Sequence, residues 1–314
     1  MFFKEGAVSS GYKQIDRNGK KITSKTGQDK LLHILYATTA GRMLLKPLVC
    51  PRFSKLAGKV LNTRLSRCLI RPFVSSNRIN MNDFRNTSYS SYNDFFTRKI
   101  KPGARTICGT EQTLISPCDC YATAYPITSD RVFHVKNARY TVASLLRSRK
   151  LAAQFEGGYA LILRLTVCDY HRYCYAVTGK QSKIYRIPGI LHTVNPVAGD
   201  YFPIYKENAR EYTVIRSPEF GDVVQMEVGA LMVGKIVNHK QRCPVRRGEE
   251  KGYFEFGGST IILLLRKDAV ILRSDLLRHT ADGYETQVRL GDALGEAAYR
   301  KPGTAVSEKD KLNS

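Results

Sequence analysis

Two kinds of hydrophobic pattern divide the chain. From about Asp29 to Phe73, apolar residues recur at helical spacing, which predicts a helical segment within residues 28–90. Its clearest stripe has members at i, i+4, i+7 and i+8, namely Leu61, Leu65, Cys68 and Leu69. We expect Pro72 to end that helix, because proline lacks the amide hydrogen that the helical ladder needs.

The helical segment is also rich in lysine and arginine, and this leaves two interpretations open. The stripe packs on the protein core, or the helix lies in the interface of an anionic membrane with its basic side chains among the head groups. The apolar stretch from Leu31 to Val49 is interrupted by Arg42 and Lys46, whereas a bilayer crossing needs about 20 apolar residues. We therefore predict no transmembrane span.

After about residue 105 the pattern changes to short runs of β-branched and aliphatic residues bounded by Gly, Pro, Asn or Asp. These runs have strand length and strand composition. The clearest are residues 159–167, 222–228, 229–237 and 260–265. Such a succession, without long helices between the strands, favours an antiparallel sandwich or barrel-like core over a Rossmann layout. The predicted class is α+β and β-rich, with a helical, basic N-terminal segment.

The two patterns predict four parts. Residues 1–27 form a loose polar N-terminus, and residues 28–90 form the helical segment, which we expect to associate with membranes. Residues 91–300 form the β-rich domain, and residues 301–314 form a disordered tail.

The net charge of the chain limits the classes of partner that we expect. Fifty Lys and Arg stand against 27 Asp and Glu, a formal net charge of +23, which favours polyanions such as nucleic acid or an anionic bilayer. The eight cysteines show no paired CxxC spacing, so we predict no metal site. No secretory leader is recognised at the N-terminus, which favours reduced thiols and a cytosolic setting. GxGxxG and Walker A sequences are absent, and nucleotide cofactors therefore have no support.

The segment with most chemical content is Gly257-Gly258-Ser259-Thr260, directly before an apolar run. Taken alone, it is typical of a tight turn or a bulge, where glycine supplies positive φ. The alternative is chemical: Gly258 presents an unhindered carbonyl to the hydroxyl of Ser259. Such a serine still needs a base and stabilisation of the oxyanion from elsewhere.

Several segments, in order along the chain, resemble the phosphatidylserine decarboxylase proenzyme family. The segment 247–260, with its Gly-Glu-x-x-Gly-x-Phe lead-in and Gly-Ser-Thr, is similar to the family's processing site. The other matching segments are 92–105 (YNDFFTRKIKPGAR), 116–119 (SPCD), 169–172 (DYHR), 191–196 (LHTVNP), 208–210 (NAR) and 228–234 (VGALMVG). One tetrapeptide would mean little, but this many segments in the family's order are specific. They extend over about residues 90–295.

The resemblance implies roles for four residues. Gly258 and Ser259 flank the bond that the proenzyme cuts, giving a β chain of residues 1–258 and an α chain of residues 259–314. Ser259 becomes a covalent pyruvoyl group, the only cofactor implied. Asp119 is similar to the family's triad carboxylate, and His171 to the histidine that assists decarboxylation beside the pyruvoyl. Without the resemblance, Asp119 would be taken as a turn or cap residue and His171 as a structural histidine at a strand end.

One departure from the family pattern concerns the base for self-cleavage. Many members carry a second histidine three residues after the first, and this chain has Cys174 at that position. The candidates for the base are His171 itself, His192 from the neighbouring segment, or Cys174 as a thiolate, which would need a lowered pKa. The doubled Gly257-Gly258 is a second, smaller departure.

The function implied is decarboxylation of phosphatidylserine to phosphatidylethanolamine and CO2 by a self-processing carboxy-lyase. The pyruvoyl carbonyl would act as the electron sink, and His171 would protonate the resulting carbon. The expected partners are phosphatidylserine in an anionic membrane and the enzyme's own α and β chains. A homodimer is kept open, no nucleic acid is expected, and the expected location is peripheral, on the cytoplasmic face of the cell membrane. The alternatives are a pyruvoyl decarboxylase of a soluble amino acid and a noncatalytic membrane-binding relative.

Overall fold

A computed structural model describes residues 12–24, 27–86, 88–135, 138–195, 198, 201–231, 235–257 and 259–298. The predicted tail 301–314 and Gly258 lie outside these residues. Within them, no helix is both long enough and apolar enough to cross a membrane.

Helices dominate the N-terminal part. The helices are α1 (Gly27–Ala37), α2 (Thr39–Leu48), α3 (Pro51–Leu61), α4 (Ile70–Ser76), α5 (Tyr92–Phe96), α6 (Val142–Leu146), α7 (Arg149–Ala152), α8 (Ile204–Glu207) and α9 (Ser274–Ala281). Local sequence accounts for several of their starts. The Thr38 hydroxyl accepts a hydrogen bond from the Gly41 amide and caps α2, and Pro51 begins α3, where its missing amide hydrogen costs nothing.

The predicted apolar stripe does not lie on one helix. Helix α3 ends at Leu61, and a 3-10 helix spans Arg64–Leu69 before α4. Leu61 is buried, whereas Leu65 is 86% exposed and Leu69 is also exposed. Pro72 does not end the run, because it lies in the first turn of α4, where its missing amide hydrogen is tolerated. The interpretation of the stripe as a core face is therefore wrong for most of its members.

The strands form one large sheet and three small ones. The strands are β1 (Tyr12–Ile15), β2 (Lys21–Ser24), β3 (Thr113–Ile115), β4 (Cys120–Pro126), β5 (Val132–Val135), β6 (Ala138–Thr141), β7 (Tyr159–Leu165), β8 (Arg172–Cys174), β9 (Gly179–Gln181), β10 (Tyr185–Ile187), β11 (Arg210–Ser217), β12 (Gly221–Val228), β13 (Ile236–Asn238), β14 (Pro244–Val245), β15 (Glu250–Phe254), β16 (Ser259–Leu265), β17 (Val270–Leu272), β18 (Glu285–Val288) and β19 (Ala293–Ala297).

The large sheet has eleven strands in the order β14-β9-β11-β12-β16-β7-β4-β18-β1-β2, with β10 paired to β11. Among these strands only β1 and β18 pair in parallel. The small sheets are β13-β15-β8, β17-β19-β3 and β5-β6. The β-rich class with N-terminal helices is thereby confirmed. Three predicted strands correspond to β7, β12 and β16, but of the predicted strand 229–237 the described residues (229–231 and 235–237) are in strand only from Ile236.

The described part of the N-terminal segment differs from the expectation of a loose chain. Strands β1 and β2 form an antiparallel hairpin, and β1 adds to the large sheet beside β18. Two adjacent residues of β1, Gln14 and Ile15, are buried, and so short a buried run did not stand out in a polar sequence. Pairing with a distant strand, not local pattern, orders this segment.

The central strands owe their position to unbroken apolar sequence. Every residue of β16 is buried, and β7 is buried along nearly its whole length, as expected for strands covered on both faces. The small sheet β13-β15-β8 lies over one of those faces, since the Gln225 side chain of β12 donates to the Cys174 carbonyl of β8 at 2.9 Å. At the start of β16, Ser259 is fully buried.

Candidate active site

Ser259 is the first residue of β16 and pairs with Leu165 of β7. Its side chain is fully buried, and its Oγ has no hydrogen-bond partner among the described residues. A buried hydroxyl without a partner carries a desolvation cost, and such groups concentrate at functional sites. Gly257 has a φ of 132°, a conformation that favours glycine, so the doubled glycine has a backbone role immediately before the predicted cleavage position.

His171 lies directly before β8, and its imidazole stacks on Phe96 with ring centres 4.0 Å apart. The backbone of Thr166 and Val167, which directly follow Leu165, lies close to this ring and counteracts part of the lowering of its pKa. Because Leu165 is the partner of Ser259, the imidazole lies at the end of the strand pair where Ser259 begins its strand. The structure thus brings His171 and Ser259 to one end of β7 and β16.

His171 is held neutral. Burial lowers its pKa to about 3, and the positive charge of Arg98 acts in the same direction. Neither ring nitrogen has a hydrogen-bond partner within the described part of the chain. At neutral pH the ring is therefore unprotonated, the form that a general base needs, and its low pKa makes it a weaker base than an exposed imidazole.

Arg98 is a residue of this site whose role the sequence analysis missed. Its guanidinium is buried, donates to the carbonyls of Phe95 and Cys168 at 3.3 and 3.4 Å, and lies over the Phe84 ring. No carboxylate lies within 4.0 Å of it among the described residues. Its only sequence signal was its place in the FFTR segment, which gave no role.

Asp119 forms no hydrogen bond or ion pair with the side chain of Ser259 or of His171 among the described residues. Its carboxylate is held by Arg105, with Nη2 2.6 Å from Oδ2, and it accepts a hydrogen bond from the Leu290 amide at 2.8 Å. Arg105 also pairs with Asp83 at 3.2 Å. Arg105 is therefore the centre of an ion-pair network in which Asp119 and Asp83 are the two carboxylates.

Asp169 is the carboxylate nearest in sequence to His171, and the sequence analysis gave it no role. It accepts hydrogen bonds from the Thr166 amide at 2.6 Å and the Thr166 hydroxyl at 2.8 Å. Burial raises its pKa to about 6 despite these bonds, and the charge of Asp119 adds to the rise. This carboxylate shapes the loop that presents His171.

Cys174 is buried in an apolar cluster with Phe84, Ile115, Tyr170 and Leu290. Burial raises the pKa of its thiol to about 12, so the thiol stays protonated near neutral pH. The environment is the opposite of the electropositive surroundings that activate a cysteine.

His192 also is buried, and its ring is engaged elsewhere. Its Nδ1 lies 3.3 Å from the Tyr36 hydroxyl, and the ring stacks on Phe202 at 4.6 Å. Burial lowers its pKa to about 4. Its carbonyl accepts a hydrogen bond from the Leu231 amide, just beyond the end of β12.

Asn208, from the predicted NAR segment, organises this region. Its side chain accepts from the His192 amide and donates to the carbonyls of His192 and Gly229, all at 2.8 to 2.9 Å. A fully buried asparagine with every bond satisfied fixes two loops against each other. The motif therefore has a structural explanation that its sequence did not reveal.

Comparisons with known proteins show the family of the chain. The family model described as phosphatidylserine decarboxylase matches residues 92–296. "Phosphatidylserine decarboxylase proenzyme 2" of Clostridium acetobutylicum is 43% identical over 273 residues, covering 87% of this chain and 92% of the relative. The corresponding proenzymes of Clostridium tetani and Chlamydia muridarum are 38% and 40% identical, over 87% and 78% of this chain and 93% and 83% of their own. These matches confirm the resemblance drawn from the motifs. The chain therefore belongs to the phosphatidylserine decarboxylase family.

Proposed function

We propose that the chain cuts itself between Gly258 and Ser259 and then decarboxylates phosphatidylserine to phosphatidylethanolamine and CO2. The observation that carries this proposal is the Ser259 hydroxyl, which is buried and has no hydrogen-bond partner among the described residues, at the strand end where the neutral His171 also lies. The names of the relatives support the substrate and the self-processing.

Self-cleavage is a sequence of balanced steps on Ser259. Its Oγ gives up a proton and attacks the Gly258 carbonyl carbon, the peptide C–N bond breaks, and an ester with a free Ser259 amine results. Loss of the Cα proton and of the ester oxygen then leaves dehydroalanine and a new carboxylate on Gly258. Addition of one water and release of one ammonia convert the new N-terminus into a pyruvoyl group.

We assign the base of the first step to His171. Its imidazole is neutral at pH 7, and neither of its ring nitrogens has a hydrogen-bond partner among the described residues. Cys174 is disfavoured because its thiol remains protonated, and His192 because its ring faces Tyr36 and Phe202. Asp119 remains the proposed acidic member, acting through the charge that it exerts on Asp169 and not by direct contact with His171.

The residues around Ser259 fit a pyruvoyl group formed there. Ser259 and Thr260 both carry buried hydroxyls without partners among the described residues, so the pocket is polar yet closed to bulk water. The pyruvoyl carbonyl supplies the electron sink for decarboxylation. His171 moves a proton to the substrate carbon, and the buried surroundings exclude water from that step.

We also propose that the protein lies peripherally on the cytoplasmic face of an anionic membrane. Of twelve exposed large apolar residues among those described, eight belong to the segment from α1 to the 3-10 helix. We call these eight the N-terminal apolar surface: Ile34, Met43, Leu44, Phe53, Leu56, Val60, Leu65 and Leu69. Between Asp29 and Asp83 the sequence has no acidic residue and many basic ones. Apolar side chains interspersed with cations match an anionic bilayer interface.

The test is the intact mass of the purified protein beside Ser259→Ala and Ser54→Ala. Ser54 is a matched control, a buried serine in α3 whose hydroxyl also has no partner among the described residues. We expect wild type and Ser54→Ala as two chains, the shorter beginning at position 259 with a pyruvoyl mass, and Ser259→Ala whole. A wild type that stays whole would contradict the proposal and favour a noncatalytic membrane-binding relative. Activity on free amino acids but not on phosphatidylserine would favour the soluble-substrate alternative.

A further inference from the structure

A groove of about 450 Å³ runs between the start of α3 and the end of β12. Its lining includes Pro51 and Lys55 of α3, Leu191, and Gly229 and Lys235, which follow β12 in the chain. Its two ends adjoin the two regions that the proposed function must connect, the membrane-facing helices and Ser259.

The outer end of the groove adjoins the N-terminal apolar surface. Pro51 is the first residue of α3, and the same helix exposes Leu56 and Val60 to solvent. The junction of α2 and α3 is fixed to the groove wall, since the Leu191 amide donates to the Val49 carbonyl at 3.0 Å. A lipid whose acyl chains stay among these apolar side chains would therefore have its head group at the groove.

The inner end of the groove adjoins Ser259. Val228 pairs with Thr260, so Gly229 continues β12 alongside Ser259, at a strand separation of about 4.8 Å. A Cβ on Gly229 would lie 3.1 Å from the Leu191 side chain and 3.3 Å from the Ala209 carbonyl. Glycine at this position keeps the groove open towards the strand end.

The lining of the groove carries net positive charge. Lys55, Arg186, Arg210 and Lys235 line it against one carboxylate, Glu211, which is already paired with Arg186 at 2.9 Å. Arg210 is buried, and its guanidinium donates to four backbone carbonyls, those of Ser144, Leu145, Lys206 and Asn208, so its charge is not neutralised by them.

Two of these cations are exposed and able to contact a ligand. Neither Lys55 nor Lys235 forms an ion pair within 4.0 Å in the part of the chain that the structure describes. Lys235 acts electrostatically on Glu255, but Glu255 does not line the groove. The ammonium groups therefore remain available to an anionic oxygen.

We propose that this groove binds the glycerophosphoserine head group, with Lys55 and Lys235 contacting its phosphate. The inference rests on the proposed function and adds the site through which the membrane-held substrate reaches Ser259. The apolar wall around Leu191 and Ile236 packs on the glycerol end, and the cations bind the phosphate oxygens. Gly229 leaves room for the serine end of the head group to extend towards residue 259.

The experiment measures KM and kcat for Lys55→Gln, Lys235→Gln, the double variant and Lys150→Gln. Lys150 is the matched control, because it lines a different cleft and none of this groove. Each protein is assayed on two substrates: dihexanoyl phosphatidylserine as monomers, and long-chain phosphatidylserine at low mole fraction in phosphatidylcholine vesicles. Chain splitting is measured first by intact mass.

We expect the double variant to raise KM about tenfold on both substrates, because two solvent-exposed charge contacts to the phosphate are lost. Its kcat and its chain splitting stay as in wild type, and Lys150→Gln is unchanged. A rise in KM on vesicles alone would overturn the proposal, since the two lysines would then contact the bilayer surface. An unchanged KM on both substrates would overturn it as well. A wild type that neither splits nor decarboxylates would instead contradict the proposed function.

Discussion

Around α3 the structure exposes apolar side chains, whereas at the strand end that begins with Ser259 it buries polar ones. Around α3, large apolar residues are exposed, with Leu56 at 62% and Leu65 at 86%. At Ser259, polar atoms are buried without partners among the described residues, including both ring nitrogens of His171. Each arrangement costs free energy in the isolated chain.

The difference indicates where each region finds its missing partner. Exposed apolar surface is stabilised by a second apolar phase, and because of the surrounding cations we propose an anionic membrane for that role. Buried polar atoms are stabilised by reacting groups that arrive or are formed in place. The predictions below test the two regions separately, beginning with the strand end.

The largest expected effect is on self-cleavage by His171→Ala. Removing a general base typically slows a reaction by about 10²- to 10⁴-fold, so we expect chain splitting to slow by about a thousandfold. The measurement is the fraction of split chain against time after expression, by denaturing gel and intact mass. His192→Phe is the comparison, since it keeps the stacking on Phe202, and we expect it to split at the wild-type rate. The reverse order of effects would move the base to His192.

The next effect concerns membrane binding through the N-terminal apolar surface. Burying a leucine side chain contributes about 1.5–3 kcal/mol, so Leu56→Asp combined with Leu65→Asp should weaken binding to phosphatidylserine-containing vesicles at least about a hundredfold. Co-sedimentation with vesicles measures this. Ile271→Asp is the control, because Ile271 is 66% exposed but lies on β17, far along the chain from α3. Equal losses for both proteins would mean that exposure alone, not the helical segment, sets the affinity.

A third prediction concerns stability against acid. Burial lowers the pKa of His171 to about 3, so the unfolded chain binds a proton there at a pH where the folded chain does not. Stability contributed by neutral His171 is present above pH 6.5 and is lost as pH falls towards 3. Between pH 7 and pH 5 this loss is about 2 kcal/mol.

Urea unfolding in the uncut Ser259→Ala background measures this dependence without the complication of two chains. Adding His171→Asn should make the loss of unfolding free energy between pH 7 and pH 5 smaller by about 2 kcal/mol, since asparagine does not titrate. His192, whose pKa is lowered to about 4, still contributes its own loss of stability as the pH falls. An unchanged slope would show that the imidazole is more hydrated than its burial indicates.

The contrast between the buried strand end and the exposed helical segment also shows which features the sequence could predict. The runs that became β7, β12 and β16 are apolar throughout, and burial on both faces leaves no ambiguity in such a pattern. The motifs located Ser259 and His171 because their chemistry depends on residue identity. The stripe from Leu61 to Leu69 was wrongly predicted to lie on one helix, because helical spacing does not show that α3 ends at Leu61 and that a 3-10 helix follows. Arg98 and Asp169 were missed because their roles arise from backbone carbonyls and loop amides, which no side-chain pattern records.

The smallest expected effect is that of Cys174→Ala on chain splitting. A thiol whose pKa is raised to about 12 is almost wholly protonated at pH 7.5, so it contributes little as a base. We expect the splitting rate to change by less than about threefold, while the free energy of unfolding falls by about 1–2 kcal/mol from the cavity left beside Phe84 and Leu290. Cys118→Ala, at another fully buried thiol, should show a similar loss of stability and the same splitting rate. If Cys174→Ala alone abolished splitting while both variants stayed folded, the thiol would be the base, and His171 would be left with the proton transfer to the substrate carbon.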